Sequence, residues 1–218
     1  MNKKHSEIKR KRIMNYFLNA AEKIVKRDGI ENLSIRNVAD EAGYNSATLY
    51  NYFENFEQLT AFVVIRNMSE YLKKSMKILD NITNPFNDYV SLWQIYCLPS
   101  FENPSIFTYA YSSNEKTMNN IQSHTKAYFE AFYDADINTE DNVYFVQDYH
   151  HVDDMIRERF VKAGLFSEKD SKEVIEFAHF LYLGVLQDAL TKHERTPEEY
   201  TDIFMKYFVP FLKERSLM

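Results

Sequence analysis

LSIRNVADEAGYNSATLYNYFENFEQL, residues 33–59, is the stretch on which the fold turns. Ser34 is placed to cap a helix whose apolar residues Ile35, Val38, Ala39 and Ala42 fall at i, i+3, i+4 and i+7, one face of a 3.6-residue period. Gly43 follows at once, where a residue free to take positive φ lets the chain turn sharply. Two residues later Asn45 supplies a second cap. Leu49 and Phe53 then stand four apart on one side, leaving Ser46, Ala47, Thr48, Tyr50 and Asn51 on a polar, hydroxyl-rich outer face. Asn55 opens a third helix, with Gln58 at its third position as a capping-box variant ahead of Leu59, Phe62 and Val63. Two short helices joined by a tight turn containing glycine form a helix-turn-helix, whose second helix enters the DNA major groove.

At these residues the chain resembles the TetR family of bacterial transcriptional regulators. Gly43, Asn45, Thr48-Leu49-Tyr50, Tyr52-Phe53 and Glu57-Gln58-Leu59 follow a signature close to A-G-x-S-x-x-T-L-Y-x-Y-F-x-x-K-E-x-L, over about the first third of the chain. Asn45 stands where Ser is usual, Ala47 where Gly is common, and Glu54 and Phe56 where Lys is frequent. The Asn keeps the cap, whereas the missing lysines remove phosphate contacts. The resemblance implies base or phosphate contacts from Arg36, Asn45, Ser46, Ala47, Thr48, Tyr50, Asn51 and Tyr52, the two tyrosines being the family's usual phosphate contacts. Ser46 and Thr48 also fall in a first helical turn, where backbone N–H groups favour phosphate. The Lys3, Lys4, Lys9, Arg10, Lys11 and Arg12 run reads as a basic arm adding backbone contacts.

Charge is distributed accordingly. Over the whole chain it is −6, yet residues 1–77 hold 14 Lys and Arg against 9 Asp and Glu, a surplus of +5, which leaves −11 for residues 78–218. A basic N-terminal module on an acidic body is the footprint of a protein that meets phosphate at one end, although a solvated basic face would carry the same charge.

With only 4 Gly and 5 Pro, and apolar residues mostly at helical spacing, the composition predicts an all-α fold. Cys97, the single cysteine, reads as a buried reduced thiol. No secretion signal and no membrane-length apolar run is present, so the reading is cytoplasmic with no membrane partner. Nucleotide-binding, metalloprotease and nucleophile-elbow motifs are absent, and four glycines leave little for a phosphate-cradling loop. Neither an enzyme nor a cofactor is expected.

Helix one is expected from about Glu7 to Asp28, with Ile13, Phe17, Ala20, Ala21 and Ile24 inward and Gly29 as its stop. The helix opened by Asn55 meets no strong breaker before the Asn81–Pro85 run. It predicts a long rod that the resemblance makes a coupler between a DNA-binding domain (residues 1–55) and a larger helical ligand-binding and dimerisation domain (residues 56–218). Further helices are read near 86–98, 105–112, 114–135, 139–163, 168–193 and 197–214, with Pro85, Pro104 and Pro197 at permitted starts.

The segments near 168–193 and 197–214 are apolar around much of their circumference, and Gly184 inside the first hints at a close helix crossing. These stripes suit a monomer core. The resemblance instead makes them the four-helix interface of a homodimer whose paired reading helices take a palindromic operator in double-stranded DNA. Trp93, Tyr96, Phe107, Tyr111, Tyr128, Phe132 and Tyr149 suit either a plain core or a pocket for a small aromatic or hydrophobic effector, and the resemblance favours the pocket. His150, His151 and Asp154 lie within a turn of one another; they are the weak metal candidates, an incomplete set unless His124 or His179 joins them, and otherwise a polar patch. The sequence therefore predicts a ligand-responsive homodimeric regulator, most simply a repressor. The alternative is a DNA-binding or interaction protein of the same fold controlled by a protein partner.

Overall fold

The computed structural model describes residues 3–111, 115–132, 149–192 and 194–217, and these are helical apart from short turns, with no strand among them. Among the described residues ten α-helices follow in order: α1 Lys3–Asp28, α2 Ile35–Ala42, α3 Ser46–Leu49, α4 Phe56–Asp80, α5 Pro85–Glu102, α6 Pro104–Tyr111, α7 Glu115–Phe132, α8 Tyr149–Lys162, α9 Glu168–Lys192 and α10 Pro197–Arg215. The chain divides into two compact units, Met1–Asn67 with Ser105–Val146, and Met68–Pro104 with Gln147–Met218. Helix α4 begins in the first and ends in the second. No described helix is long and apolar enough to cross a membrane.

In the first unit, α1 ends where Gly29 takes φ 88° and donates its N–H to the Val25 carbonyl. A 3-10 turn at Ile30–Asn32 then leads to α2. The core forms around Phe17, Leu49, Phe53 and Phe62, all within 2% of full burial. Removing each such side chain from water contributes roughly 1.5–3 kcal/mol. Phe17 meets Tyr44 at 5.2 Å and Phe53 at 6.2 Å between ring centroids, and Phe53 meets Phe62 at 5.8 Å edge-on. Helix α7 joins this core through Tyr128, whose ring stands edge-on to Phe62 at 5.3 Å.

In the second unit, Tyr89 and Trp93 of α5 are the hub. Tyr89 packs edge-on against Phe160 of α8 at 4.9 Å and Phe166 at 5.3 Å. Trp93 meets Phe204 and Phe208 of α10 at 5.0 and 5.6 Å. Burial pushes the Tyr89 hydroxyl and the Cys97 thiol well above their ordinary pKa values, so both stay protonated and unreactive. A full capping box at Thr196 and Glu199 starts α10, with Pro197 in its first turn.

Three expectations need correction. Helix α1 starts at Lys3 rather than near Glu7, because its Lys- and Arg-rich opening contains good helix formers and no breaker, so the basic run is helical and not an extended arm. Helix α5 continues through Pro99 to Glu102 instead of stopping near residue 98, and Asn103 ends it just before Pro104. Gly184 marks no close crossing among the described residues, since an added Cβ there meets nothing within 4 Å. The helix expected from residue 139 is described only from Tyr149 onward, and residues 139–148 lie outside the described residues.

Candidate nucleic-acid interface

The reading surface is assembled by caps. Ser34 accepts the Asn37 N–H at 3.1 Å and starts α2. Gly43 ends it at φ 76°, a left-handed conformation that favours glycine. Asn45 Oδ1 then accepts both the Thr48 N–H at 2.8 Å and the Thr48 hydroxyl at 2.9 Å, which fixes the first turn of α3 and the Thr48 rotamer together.

Helix α3 is a single turn and not the longer helix that the Leu49–Phe53 spacing suggests. After Leu49 the bonds tighten to the i→i+3 type, Asn51 N–H to Thr48 carbonyl at 3.1 Å and Tyr52 N–H to Leu49 carbonyl at 2.9 Å. Tyr50, Asn51 and Tyr52 therefore sit on a turn. Leu49 and Phe53 are buried, as their spacing requires, while Asn45, Ala47, Tyr50 and Asn51 are exposed and Ser46, Thr48 and Tyr52 half-buried. Arg36, on α2, is exposed beside Asp40 at 3.8 Å.

Among the basic residues, Lys9 is exposed on α1. Arg10 turns inward to the turn after α3: Nη1 donates to the Asn51 carbonyl at 2.8 Å, Nη2 to the Tyr52 carbonyl at 3.0 Å, and the guanidinium carbon lies 5.4 Å from the centre of the Tyr52 ring. Both carbonyls would otherwise be left over by the tightened turn. Lys11 donates to the Phe132 carbonyl at the end of α7. No local sequence signal marks either bond, because 41 and 121 residues separate the partners.

Where α4 starts, Asn55 Oδ1 accepts the Gln58 N–H at 2.7 Å, as the capping-box variant requires. Gln58 Oε1 reaches one residue further back than a standard box, to the Glu54 N–H at 2.9 Å.

Residues 17–61, from the middle of α1 into α4, match the family of bacterial regulatory proteins named for tetR. The N-terminal module thus resembles the helix-turn-helix module of that family. The chain is also similar to two curated proteins: an uncharacterised HTH-type transcriptional regulator of Haemophilus influenzae, 28% identical over 89 residues, and an HTH-type transcriptional regulator of Staphylococcus aureus, 30% identical over 61 residues. These matches take in 41% and 28% of the chain and 48% and 33% of the relatives, so the chain spans half or less of the curated proteins it matches. The fold likeness runs further. The fatty acid degradation regulator FadR of Bacillus halodurans superposes with a TM-score of 0.62 at 14% identity, over 90% of the chain and 94% of that structure. The fold likeness to that structure thus extends over nearly the whole chain.

The expected pocket residues are distributed over both units. Phe107, Tyr111, Tyr128 and Phe132 belong to the unit that carries the helix-turn-helix, and Trp93, Tyr96 and Tyr149 to the other. Phe107 and Tyr128 are buried, and Tyr128 lies 5.0 Å from Phe132. Trp93 and Tyr96 are half-buried and packed against neighbouring rings, Tyr96 tilted on Tyr182 at 5.0 Å. The placements of the Tyr149, His150 and His151 side chains lie outside the described residues. Asp154 pairs with Arg157 at 3.3 Å, whereas His179 Nε2 meets Asp153 at 3.1 Å, and His124 bonds the Asn120 carbonyl of its own helix. No group of three or more His, Cys, Asp or Glu able to hold a metal occurs among the described residues.

Proposed function

We propose that the chain is a homodimeric, ligand-responsive transcriptional repressor. Residues 1–55 form its DNA-binding domain and residues 56–218 its ligand-binding and dimerisation domain. The observation that carries the DNA-binding half is the capped single turn of α3 followed by exposed Tyr50 and Asn51, a rigid edge with hydroxyl and amide groups outward and Leu49 and Phe53 locked beneath. Asn45, Ser46, Ala47, Thr48 and Asn51 read bases and first-turn phosphates, while Tyr50, Tyr52, Arg36 and Lys9 take backbone phosphates. Phe180 and Tyr207, 69% and 54% exposed on α9 and α10, support pairing of two chains through these helices, which would present two heads to a palindrome. A small aromatic or hydrophobic effector would release DNA by favouring a state in which the heads no longer match groove spacing, which requires only differential affinity for the two states.

The test is anisotropy of the protein's own upstream DNA. Tyr52→Phe combined with Thr48→Ala should weaken binding by about tenfold or more, from contacts worth roughly 1–3 kcal/mol each. Unchanged affinity would defeat this placement of the interface. Release on adding a protein partner, with no response to any small molecule, would instead favour control by that partner on the same fold.

A further inference from the structure

Beneath the reading turn, α1 and α4 are joined by polar side chains, Asn19 and Glu22 from the first and Arg66 and Asn67 from the second. Arg66 Nε stands 3.3 Å from Glu22 Oε1, which also accepts from Asn67 Nδ2 at 3.2 Å, while Arg66 Nη2 donates to Asn19 Oδ1 at 2.8 Å. Asn67 Nδ2 bonds the Val63 carbonyl of its own helix as well, at 2.8 Å. A single bond would leave α4 free to pivot, whereas two points of attachment on each helix fix its rotation as well as its distance from α1. The cluster closes at Asn67, the residue at which α4 leaves the first unit.

The neighbouring contacts are aromatic. Phe62, one turn before Arg66, meets Phe53 edge-on, and Phe53 and Tyr52 both meet Phe17 of α1, at 6.2 and 5.9 Å between ring centroids. The end of the reading turn thus rests on rings from both helices. Apolar burial is non-directional, so such rings tolerate a turned α4, and the hydrogen-bonded cluster does not. Stability is a poor reason for the cluster. Glu22 and Arg66 are half-buried, and burial raises the Glu22 carboxyl pKa despite the facing guanidinium, so keeping the carboxylate ionised there costs the folded state.

We infer that Asn19, Glu22, Arg66 and Asn67 are positioning residues for DNA reading: they hold α4 at one rotation against α1, and so keep Phe62 against Phe53 and the reading turn in one place. Opening the cluster frees the turn without unfolding the head. The effect on DNA rests on the proposed DNA-binding function; the register of α4 does not. Glu22→Leu combined with Arg66→Met isolates this role. The pair removes one charge of each sign, which leaves the net charge and the long-range attraction to DNA as they were. It also strands no partner, since Asn19 is exposed and Asn67 keeps the Val63 carbonyl.

The full chain is compared by thermal melt, by anisotropy with the protein's own upstream DNA, and by the distance between nitroxides at Lys26→Cys on α1 and Glu57→Cys on α4. Both positions are exposed, and Cys97 is buried. The double variant should melt at or above the wild-type temperature, show a broader label distribution, and bind DNA about fivefold or more weakly, the size of effect that such a network carries. Glu22→Gln keeps an acceptor for Arg66 and Asn67 and should retain wild-type affinity. Arg66→Lys keeps the charge but lacks the fork that reaches Glu22 and Asn19 together, so it should weaken DNA binding at wild-type stability. A lower melting temperature in step with the lost affinity would make the cluster a plain stabiliser and overturn the inference, as would wild-type affinity in Arg66→Lys. Label broadening in a protein that binds no DNA under any condition keeps the register and removes the repressor. Firm DNA binding by the wild type with an unchanged double variant keeps the repressor and removes the positioning role.

Discussion

Arg10 and Tyr52 are joined twice: Nη2 donates to the Tyr52 carbonyl at 3.0 Å, and the guanidinium stands 5.4 Å from the centre of the Tyr52 ring. With Nη1 on the Asn51 carbonyl, one side chain of α1 holds the two residues that follow the reading turn. Arg10 is thus a positioning residue, although its charge and location suit a phosphate contact equally well on sequence grounds.

Salt dependence distinguishes these roles. Each phosphate contact contributes about 0.9 to the slope of log affinity against log salt. Arg10→Met should lower operator affinity by about threefold to tenfold while leaving that slope unchanged, as measured by anisotropy between about 50 and 200 mM salt. A slope reduced by about one would return Arg10 to the phosphate.

Asn45 caps α3 and orients Thr48 with the same oxygen. Asn45→Ala should cost about 1 kcal/mol in a denaturant melt, the usual value of a lost cap, and weaken DNA binding as well. Asn45→Ser keeps an acceptor at the cap and should recover most of the stability. Equal stability of Asn45→Ala and wild type would show that packing of Leu49 alone holds the turn.

Charge at the start of α4 offers a gain rather than a loss. Glu54→Lys restores a cation beside the reading turn, at an exposed position bonded only through its backbone N–H to Gln58 among the described residues. Operator affinity should rise about threefold or more in low salt, with the salt slope steeper by about one.

Glu22 carries a pH signature. Its carboxyl faces Arg66 at 3.3 Å and accepts from Asn67 Nδ2 at 3.2 Å, yet burial outweighs both and raises its pKa above 4.5. A carboxyl raised in the folded state binds more protons folded than unfolded. Its stabilising contribution is complete below the unfolded pKa and is lost as pH rises through the folded pKa. Glu22→Gln, which keeps the acceptor for Asn67, should therefore gain stability relative to wild type between pH 4 and pH 7. Thermal melts at the two pH values check this, and an identical difference at both would mean that Arg66 fully offsets the burial.

The exposed face of α9 sets an expectation about assembly. Phe180→Glu should convert dimer to monomer in sedimentation velocity at micromolar protein and reduce operator affinity at least tenfold, because one head alone reads half a palindrome. A dimer that persists would move the interface off this face.

The local elements of the head were legible in the chain itself. Ser34, Gly43, Asn45 and Asn55 act within three or four residues of their own positions, as caps and a turn must, and Leu49 and Phe53 are buried because their spacing allows nothing else. Periodicity could not say that α3 stops after one turn, since the tightened bonds at Asn51 and Tyr52 leave the apolar spacing intact. It also could not say where a charged side chain goes. Lys and Arg on an amphipathic helix look alike whether they face solvent or another element's carbonyl, so Arg10 on the reading turn and Lys11 on the last carbonyl of α7 were decided only when distant segments packed together. The same reason governs the aromatic residues: sequence identified the rings, but only the tertiary structure assigned Tyr128 to the core around Phe62 and Trp93 to the stack on α10, because burial is a property of what lies opposite.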